Sequence, residues 1–307
     1  MGRHVIALDV GGTGMKAALV GPGAELLYQE RRPTGREQGP QAVVSAMLGF
    51  ATDLRSRGLR RYGEAAAAAG VAVPGVVDER AGVAAYAANL GWRDVPLRAL
   101  LTERLDGTPV ALGHDVRVGG LAEGRAGAAG GADRFLFVAL GTGIAAAFGT
   151  RCGGRTRVEP TELGHIVIRP DGERCGCGGR GCLETVASAA AVARAWRGEA
   201  ADCARAVAAG DRRAAGVWNH AVAALADGLL VGLTLFAPDT LVLGGGLAGA
   251  GGTLFGPLRT AVEERVTFQR LPSILPAALG DTAGCLGAGL LAWDLIDLDR
   301  TTVEVTA

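Results

Sequence analysis

Val5-Ile6-Ala7-Leu8-Asp9-Val10-Gly11-Gly12-Thr13-Gly14 is an apolar run that ends abruptly in glycine. The run reads as a buried strand and the glycines as a tight turn. Apolar residues return at 15–20, and again at 26–31 after Gly21-Pro22-Gly23, so the opening predicts three antiparallel strands. The middle of the chain repeats the theme: residues 135–140 form a buried run, Gly141-Thr142-Gly143 a turn, and residues 144–149 a second run. Leu8-Asp9-Val10-Gly11-Gly12-Thr13-Gly14 is echoed by Val138-Ala139-Leu140-Gly141-Thr142-Gly143. The echo predicts two related lobes, each opening with strand, glycine turn and strand. A third cluster, Gly244-Gly245-Gly246, follows the strand expected at 240–243. Helical periodicity occupies residues 40–57, and 67–73 reads as a strand ending at Pro74-Gly75. A short strand at 109–112 delivers His114-Asp115 to a helix running through Glu123, and 283–295 reads as a glycine-rich helix. The expected division is a smaller α/β lobe at 1–116, joined by the helix at 289–300, and a larger α/β lobe at 117–288.

Composition narrows the function classes. With 307 residues, 5% aromatics and 20% charged residues, the chain reads as a packed α/β protein of two domains. Its 31 basic and 31 acidic residues cancel, so nothing supplies the basic field of a nucleic-acid binder. No charged segment leads into an apolar signal region, and the apolar stretch 221–237 is broken by Asp227 and stops at Pro238, short of a membrane span. The expectation is a cytoplasmic protein without a membrane partner.

Three glycine clusters directly after buried strands put backbone N–H groups where phosphate oxygens bind, although any one of them serves equally well as a tight hairpin. Candidate phosphate contacts are Gly11, Gly12, Thr13, Gly141, Thr142, Gly143, Gly244 and Gly245. No G-x-x-x-x-G-K-[ST] pattern is present, which disfavours a P-loop. Asp9, beside the first turn, suits Mg²⁺ held through water, or caps the turn. Lys16, the only lysine in the chain, is placed either to neutralise phosphate or to lie in solvent. His165, Cys175, Cys177 and Cys182 offer one imidazole and three thiols in a glycine-rich loop, a ligand set for structural zinc.

Together these residues resemble the ROK family of repressors, open reading frames and kinases, over nearly the whole chain. The resemblance rests on Asp9-Val10-Gly11-Gly12-Thr13, Val73-Pro74-Gly75, Asn89 before Gly91-Trp92, Asp115, and Leu140-Gly141-Thr142-Gly143. It rests further on Glu162-Leu163-Gly164-His165, the run from Cys175 to Glu184, Leu243-Gly244-Gly245-Gly246 and Leu279-Gly280-Asp281. It implies an α/β fold of two ribonuclease-H-like lobes, the actin-like ATPase and sugar kinase architecture, around a nucleotide cleft. It also implies transfer of the ATP γ-phosphoryl group to a hexose, by default glucose at O6, with Mg²⁺ and a structural Zn²⁺. On this likeness Asp115 is the general base; Gly75, Asn89, His114, Asp115, Glu162, His165 and Glu184 face the sugar, and His165 also ligates zinc. A homodimer or dimer of dimers is the implied assembly.

Two departures bear on substrate and phosphate. His114 stands where the family usually places asparagine, and Ile144-Ala145-Ala146-Ala147-Phe148 replaces a richer glycine segment. The alternatives are a kinase for N-acetylmannosamine, N-acetylglucosamine, allose or fructose, or a sugar sensor that does not turn over. A sugar-responsive repressor of the family carries a helix-turn-helix domain ahead of its lobes; eight residues precede Asp9, so that reading is not expected.

Overall fold

The computed structural model describes the backbone of residues 4–305 and the side chains of residues 4–297. Two compact units emerge: one runs through Ala122 and resumes at Asp281, and the other is Glu123–Gly280.

In the first unit, β1 (Val5–Val10), β2 (Gly14–Val20) and β3 (Leu26–Pro33) are consecutive antiparallel strands. Helix α1 (Pro40–Tyr62) follows, then β4 (Ala69–Val73). A small antiparallel sheet of β5 (Val76–Asp78), β6 (Val83–Ala87) and β7 (Trp92–Val95) precedes α2 (Leu97–Arg104) and β8 (Val110–His114). The main sheet has the order β3-β2-β1-β4-β8, with β4 and β8 parallel to β1. Val5, Ile6, Ala7, Leu8 and Val10 are all buried, on both faces of the sheet, which explains the unbroken apolar run. Met47, Phe50 and Leu54 of α1 pack with Ile6 and Leu8 in one core. The helix α9 (Ala283–Val305) packs on β1 and β4. The fit there needs glycine: a Cβ on Gly70 would lie 1.8 Å from the Ala288 carbonyl oxygen. On α9 itself, a Cβ on Gly287 would lie 2.1 Å from the Val118 carbonyl oxygen, so that glycine serves close backbone approach.

The second unit repeats the sheet. It is entered through α3 (Asp115–Ala126) and continues with β9 (Arg134–Leu140), β10 (Ile144–Cys152) and β11 (Arg155–Thr161). After the loop that carries the cysteines come α4 (Leu183–Ala187), α5 (Ala189–Trp196), α6 (Ala200–Ala208) and α7 (Arg212–Phe236). Strand β12 (Thr240–Gly244), α8 (Gly252–Glu263) and β13 (Ser273–Pro276) complete it. The order β11-β10-β9-β12-β13 reproduces that of the first sheet, with one antiparallel hairpin after another and then two parallel strands.

One expectation differs in detail from the structure. The division falls at Ala122/Glu123 and Gly280/Asp281, where the sequence reading put it after 116 and before 289. Residue 116 lies within the first turn of α3, whose Val118 is packed against Gly287 of α9, so a cut there would split one packed helix pair. Helix α7 extends well ahead of the apolar stretch 221–237, because Asp211 caps it at Ala214 N–H and starts it at Arg212. Its 25 residues, with a mean hydropathy of 1.4 over one window, are long and apolar enough to cross a membrane, and half of that window is buried in the structure. Trp218, Leu225, Leu229 and Leu233 belong to the core of the second unit, and Asp227 accepts hydrogen bonds from Arg169 and Arg265.

Candidate active site

The first glycine turn is closed by Gly11 N–H donating to the Gly14 carbonyl at 2.9 Å. Asp9 and Lys16 face each other in the β1–β2 register. Lys16 Nζ donates to the Asp281 carbonyl oxygen at 3.0 Å and lies 3.6 Å from Asp281 Oδ1 and 3.8 Å from Asp9 Oδ2. Arg31 holds the other oxygen of Asp281 at 2.8 Å. Burial pushes the Asp9 carboxyl up to about 6; Lys16 opposes the shift, and the nearby Asp115 and Asp281 carboxylates add to it. Lys16 offsets this crowding only in part, since the carboxyl stays raised, and a divalent cation such as Mg²⁺ fits beside it. Asn89 is exposed and lies over Gly12, its Nδ2 being 3.2 Å from where a Cβ would stand.

β8 ends at His114 and α3 begins at Asp115, so the carboxylate sits at a strand end and a helix start. Its Oδ1 accepts the Val116 N–H at 2.7 Å and lies 3.4 Å from His114 Nε2. No donor in the described residues is directed at Oδ2. Burial raises the Asp115 pKa, while His114 and the Val116 N–H lower it. A residue that the sequence did not reveal fixes this corner. Glu79 accepts His114 N–H at 3.2 Å and pairs with Arg117 at 2.6 Å. In the sequence it is one charge among Asp78-Glu79-Arg80, indistinguishable from a solvated turn. Gly75 holds φ +90°, and a Cβ there would strike the Tyr86 carbonyl.

In the second unit the turn Gly141-Thr142-Gly143 is closed by Gly141 N–H donating to the Gly143 carbonyl at 3.0 Å, and Thr142 is exposed as Thr13 is on the first turn. Gly245 takes φ +86° beside the Leu140 carbonyl, where a Cβ would lie 2.5 Å away. Beyond it opens a cavity of about 530 Å³ whose lining includes Glu199, Ala204, Arg205, Trp218, Gly246 and Ala250. Its alanine-rich walls carry no pattern that sequence reading could have singled out.

The four candidate metal ligands converge. One ligand atom each from His165, Cys175, Cys177 and Cys182 lies within 4.8 Å of all the others. Cys177 and Cys182 sulfurs are 3.7 Å apart, and Cys175 Sγ is 3.6 Å from His165 Nδ1, spacings that a tetrahedral zinc with bonds of about 2.0–2.3 Å requires. The Gly179 N–H holds the Cys177 thiol below its usual range, while burial and the neighbouring thiols push Cys182 up to about 12. Thiols packed this closely ionise together only around a cation, so the set fits zinc. His165 turns Nε2 toward the exposed Glu162, at 3.9 Å from its Oε2.

The ROK family description matches residues 5–294. The glucokinase of Thermotoga maritima is 33% identical over 310 residues, covering 92% of this chain and 95% of that enzyme. Among solved structures, the ROK hexokinase from Thermus thermophilus superposes with a TM-score of 0.82 at 33% identity, covering 96% of this chain and 99% of that one. A ROK family glucokinase from Streptomyces griseus, in complex with glucose and AMPPNP, gives a TM-score of 0.76 at 26% identity, covering 94% and 99%. The match takes in both repeated sheets, the aspartate that opens α3 and the cysteine loop, and on that extent the chain belongs to the ROK family.

Proposed function

We propose that this protein is an ATP-dependent hexose kinase that phosphorylates glucose at O6, with Asp115 as the general base. The observation that carries the reading is the state of the Asp115 carboxylate. Oδ1 is engaged by the Val116 N–H and faces His114, which leaves Oδ2 to accept a proton. Burial raises its basicity, as a base working near neutral pH needs. The whole-length likeness to glucokinases, one of them holding glucose and AMPPNP, supports both substrates.

In this mechanism Oδ2 takes the O6 proton as O6 attacks the γ-phosphorus. The bond from that phosphorus to the β,γ-bridging oxygen breaks, and ADP leaves. The N–H groups of Gly11–Thr13 and Gly141–Gly143 receive phosphate oxygens, and the cavity beyond Gly245 receives the adenosine. Asp9 would hold Mg²⁺ through water; when bound, the ion neutralises charge on the transferring phosphate. Asn89, His114, Glu162, His165 and Glu184, with the backbone at Gly75, are the proposed sugar contacts. Zinc on His165, Cys175, Cys177 and Cys182 would have all four positions filled by protein, a structural arrangement that fixes the loop carrying Glu162 and Glu184.

ADP release against a panel of hexoses and N-acetylhexosamines tests the reading, with glucose expected to give the highest kcat/KM. Asp115→Asn keeps the fold and lowers kcat by about 10²–10⁴-fold. Near-normal turnover by that variant removes Asp115 as the base, and silence across the whole panel removes the kinase.

A further inference from the structure

Residue 182 is at once a metal ligand and the residue from which α4 springs. Two residues on, Glu184 Oε2 accepts the Ile144 N–H at 2.8 Å. The same oxygen would lie 2.3 Å from a Cβ on Gly143, so the carboxylate is seated directly on the second glycine turn. Glu184 Oε1 is 4.0 Å from Cys175 Sγ, against the ligand cluster. At the other end of the turn, Ala189 N–H donates to the Gly141 carbonyl at 2.9 Å. Thr185 Oγ donates to the Cys182 carbonyl at 2.7 Å and Ser188 Oγ caps α5, so the segment between these contacts is itself braced. Both ends of Gly141-Thr142-Gly143 are therefore held by residues that follow directly from the last zinc ligand.

We infer that Glu184 is a positioning residue through which the zinc loop orders the Gly141–Gly143 turn, so that metal loading governs nucleotide binding as well as supporting the sugar loop. The consequence for nucleotide rests on the kinase reading; the ordering of the turn does not. Zinc fixes Cys182, α4 carries Glu184 at a set distance from it, and the carboxylate locks Ile144 N–H. Without the ion the loop keeps only its backbone closures, such as Leu183 N–H to the Ile166 carbonyl at 2.9 Å and Gly181 N–H to the Glu173 carbonyl at 2.8 Å, and the turn's anchor at one end loosens.

Amide hydrogen exchange at Gly143 and Ile144 reads the ordering, and calorimetric titration with AMPPNP and Mg²⁺ reads its consequence. Chelation of zinc from the wild-type protein is expected to speed exchange at these amides about tenfold or more, the scale of one charge-assisted hydrogen bond. AMPPNP binding weakens in step, and re-addition of zinc restores both. Because the stripped protein can unfold, Glu184→Ala is measured with zinc loaded and its content verified. The same faster exchange and weaker AMPPNP binding are expected. Glu184→Gln, whose amide oxygen still accepts the Ile144 N–H, is expected to restore protection. Exchange in zinc-loaded Glu184→Ala within about twofold of the wild type overturns the inference. A wild-type protein that binds no AMPPNP, while its turn still responds to zinc and to Glu184→Ala, instead removes the kinase reading and leaves the ordering role in place.

Discussion

Glu123 is fully buried, yet its carboxylate is satisfied by backbone alone. Oε2 accepts the N–H groups of Ala128 at 2.8 Å and Ala278 at 3.1 Å, and Oε1 accepts that of Leu279 at 2.9 Å. It thereby ties the end of α3 to the connector that leaves β13, close to both points where the chain passes from one unit to the other. Glu123→Ala leaves three part-buried donors unmet, each costing up to about 1–3 kcal/mol where water does not reach it. Water entering the emptied space and relief of the carboxylate's own desolvation offset part of this, for a net loss of about 3–5 kcal/mol. For a unit of this size about 1 kcal/mol moves Tm by roughly 2–4 °C, so calorimetry should show the transition of the second unit falling by about 10 °C. Glu123→Gln keeps acceptors on one oxygen and turns an NH₂ group on at least one donor, so its transition lies between the two. An alanine variant that melts within about 2 °C of the parent refutes the reasoning, since the donors must then be met by something other than this carboxylate.

Lys16 is the largest charge holding the Asp9 pKa down. Because the folded carboxyl binds its proton first, the metal-free protein should gain stability as pH falls from about 6 toward 3.8, while its Mg²⁺ affinity declines over the same range. Lys16→Met should move that decline to higher pH, read by Mg²⁺ titration of AMPPNP binding; a loss of equal size at every pH would mean that Lys16 acts on phosphate directly. His4 carries the opposite sign. Burial lowers its pKa, Glu64 opposing, and neither ring nitrogen has a hydrogen-bond partner among the described residues. The unfolded chain therefore takes up the proton first, and stability is lost as pH falls below 6.5. His4→Leu should flatten that limb of a denaturation series, and an unchanged slope would clear His4. Gly181→Ala forces a Cβ within 1.6 Å of the Arg169 carbonyl at φ +71°, so the purified variant should hold less than one zinc per chain by metal analysis.

What the sequence made legible follows from its grammar. A strand that ends in glycine is a strong local signal, and so β1, β2, β9 and β12 were readable to within a residue, while β10, which starts at the glycine turn as expected, runs three residues past the expected 149. The small sheet of β5, β6 and β7 was not anticipated, because its strands are three to five residues long, too short for an alternating pattern to stand out. The convergence of His165, Cys175, Cys177 and Cys182 could be picked out by residue type and spacing, since three cysteines and a histidine in one glycine-rich loop form a compact donor set. Glu79 and Glu123 could not. An acidic residue in a polar turn or on a helix looks solvated until the fold brings backbone donors to it, and those donors lie far away in sequence at 114 and 278–279.

The internal repeat carries a further argument, because its two copies diverge at one cross-strand pair. In the first sheet the residues beside the turn are Asp9 and Lys16; at the matching register of the second they are Ala139 and Ala145. The first copy meets its turn with a buried carboxylate and an ammonium group from its own strands, a charged arrangement suited to a cation. The second has only methyl groups there, and its carboxylate arrives from outside the sheet, as Glu184 on α4. One turn is thus set by its own hairpin, and the other takes its carboxylate from the helix that follows the cysteine loop. The two turns are equivalent within their sheets, and this single cross-strand pair decides which of them draws its charge from outside.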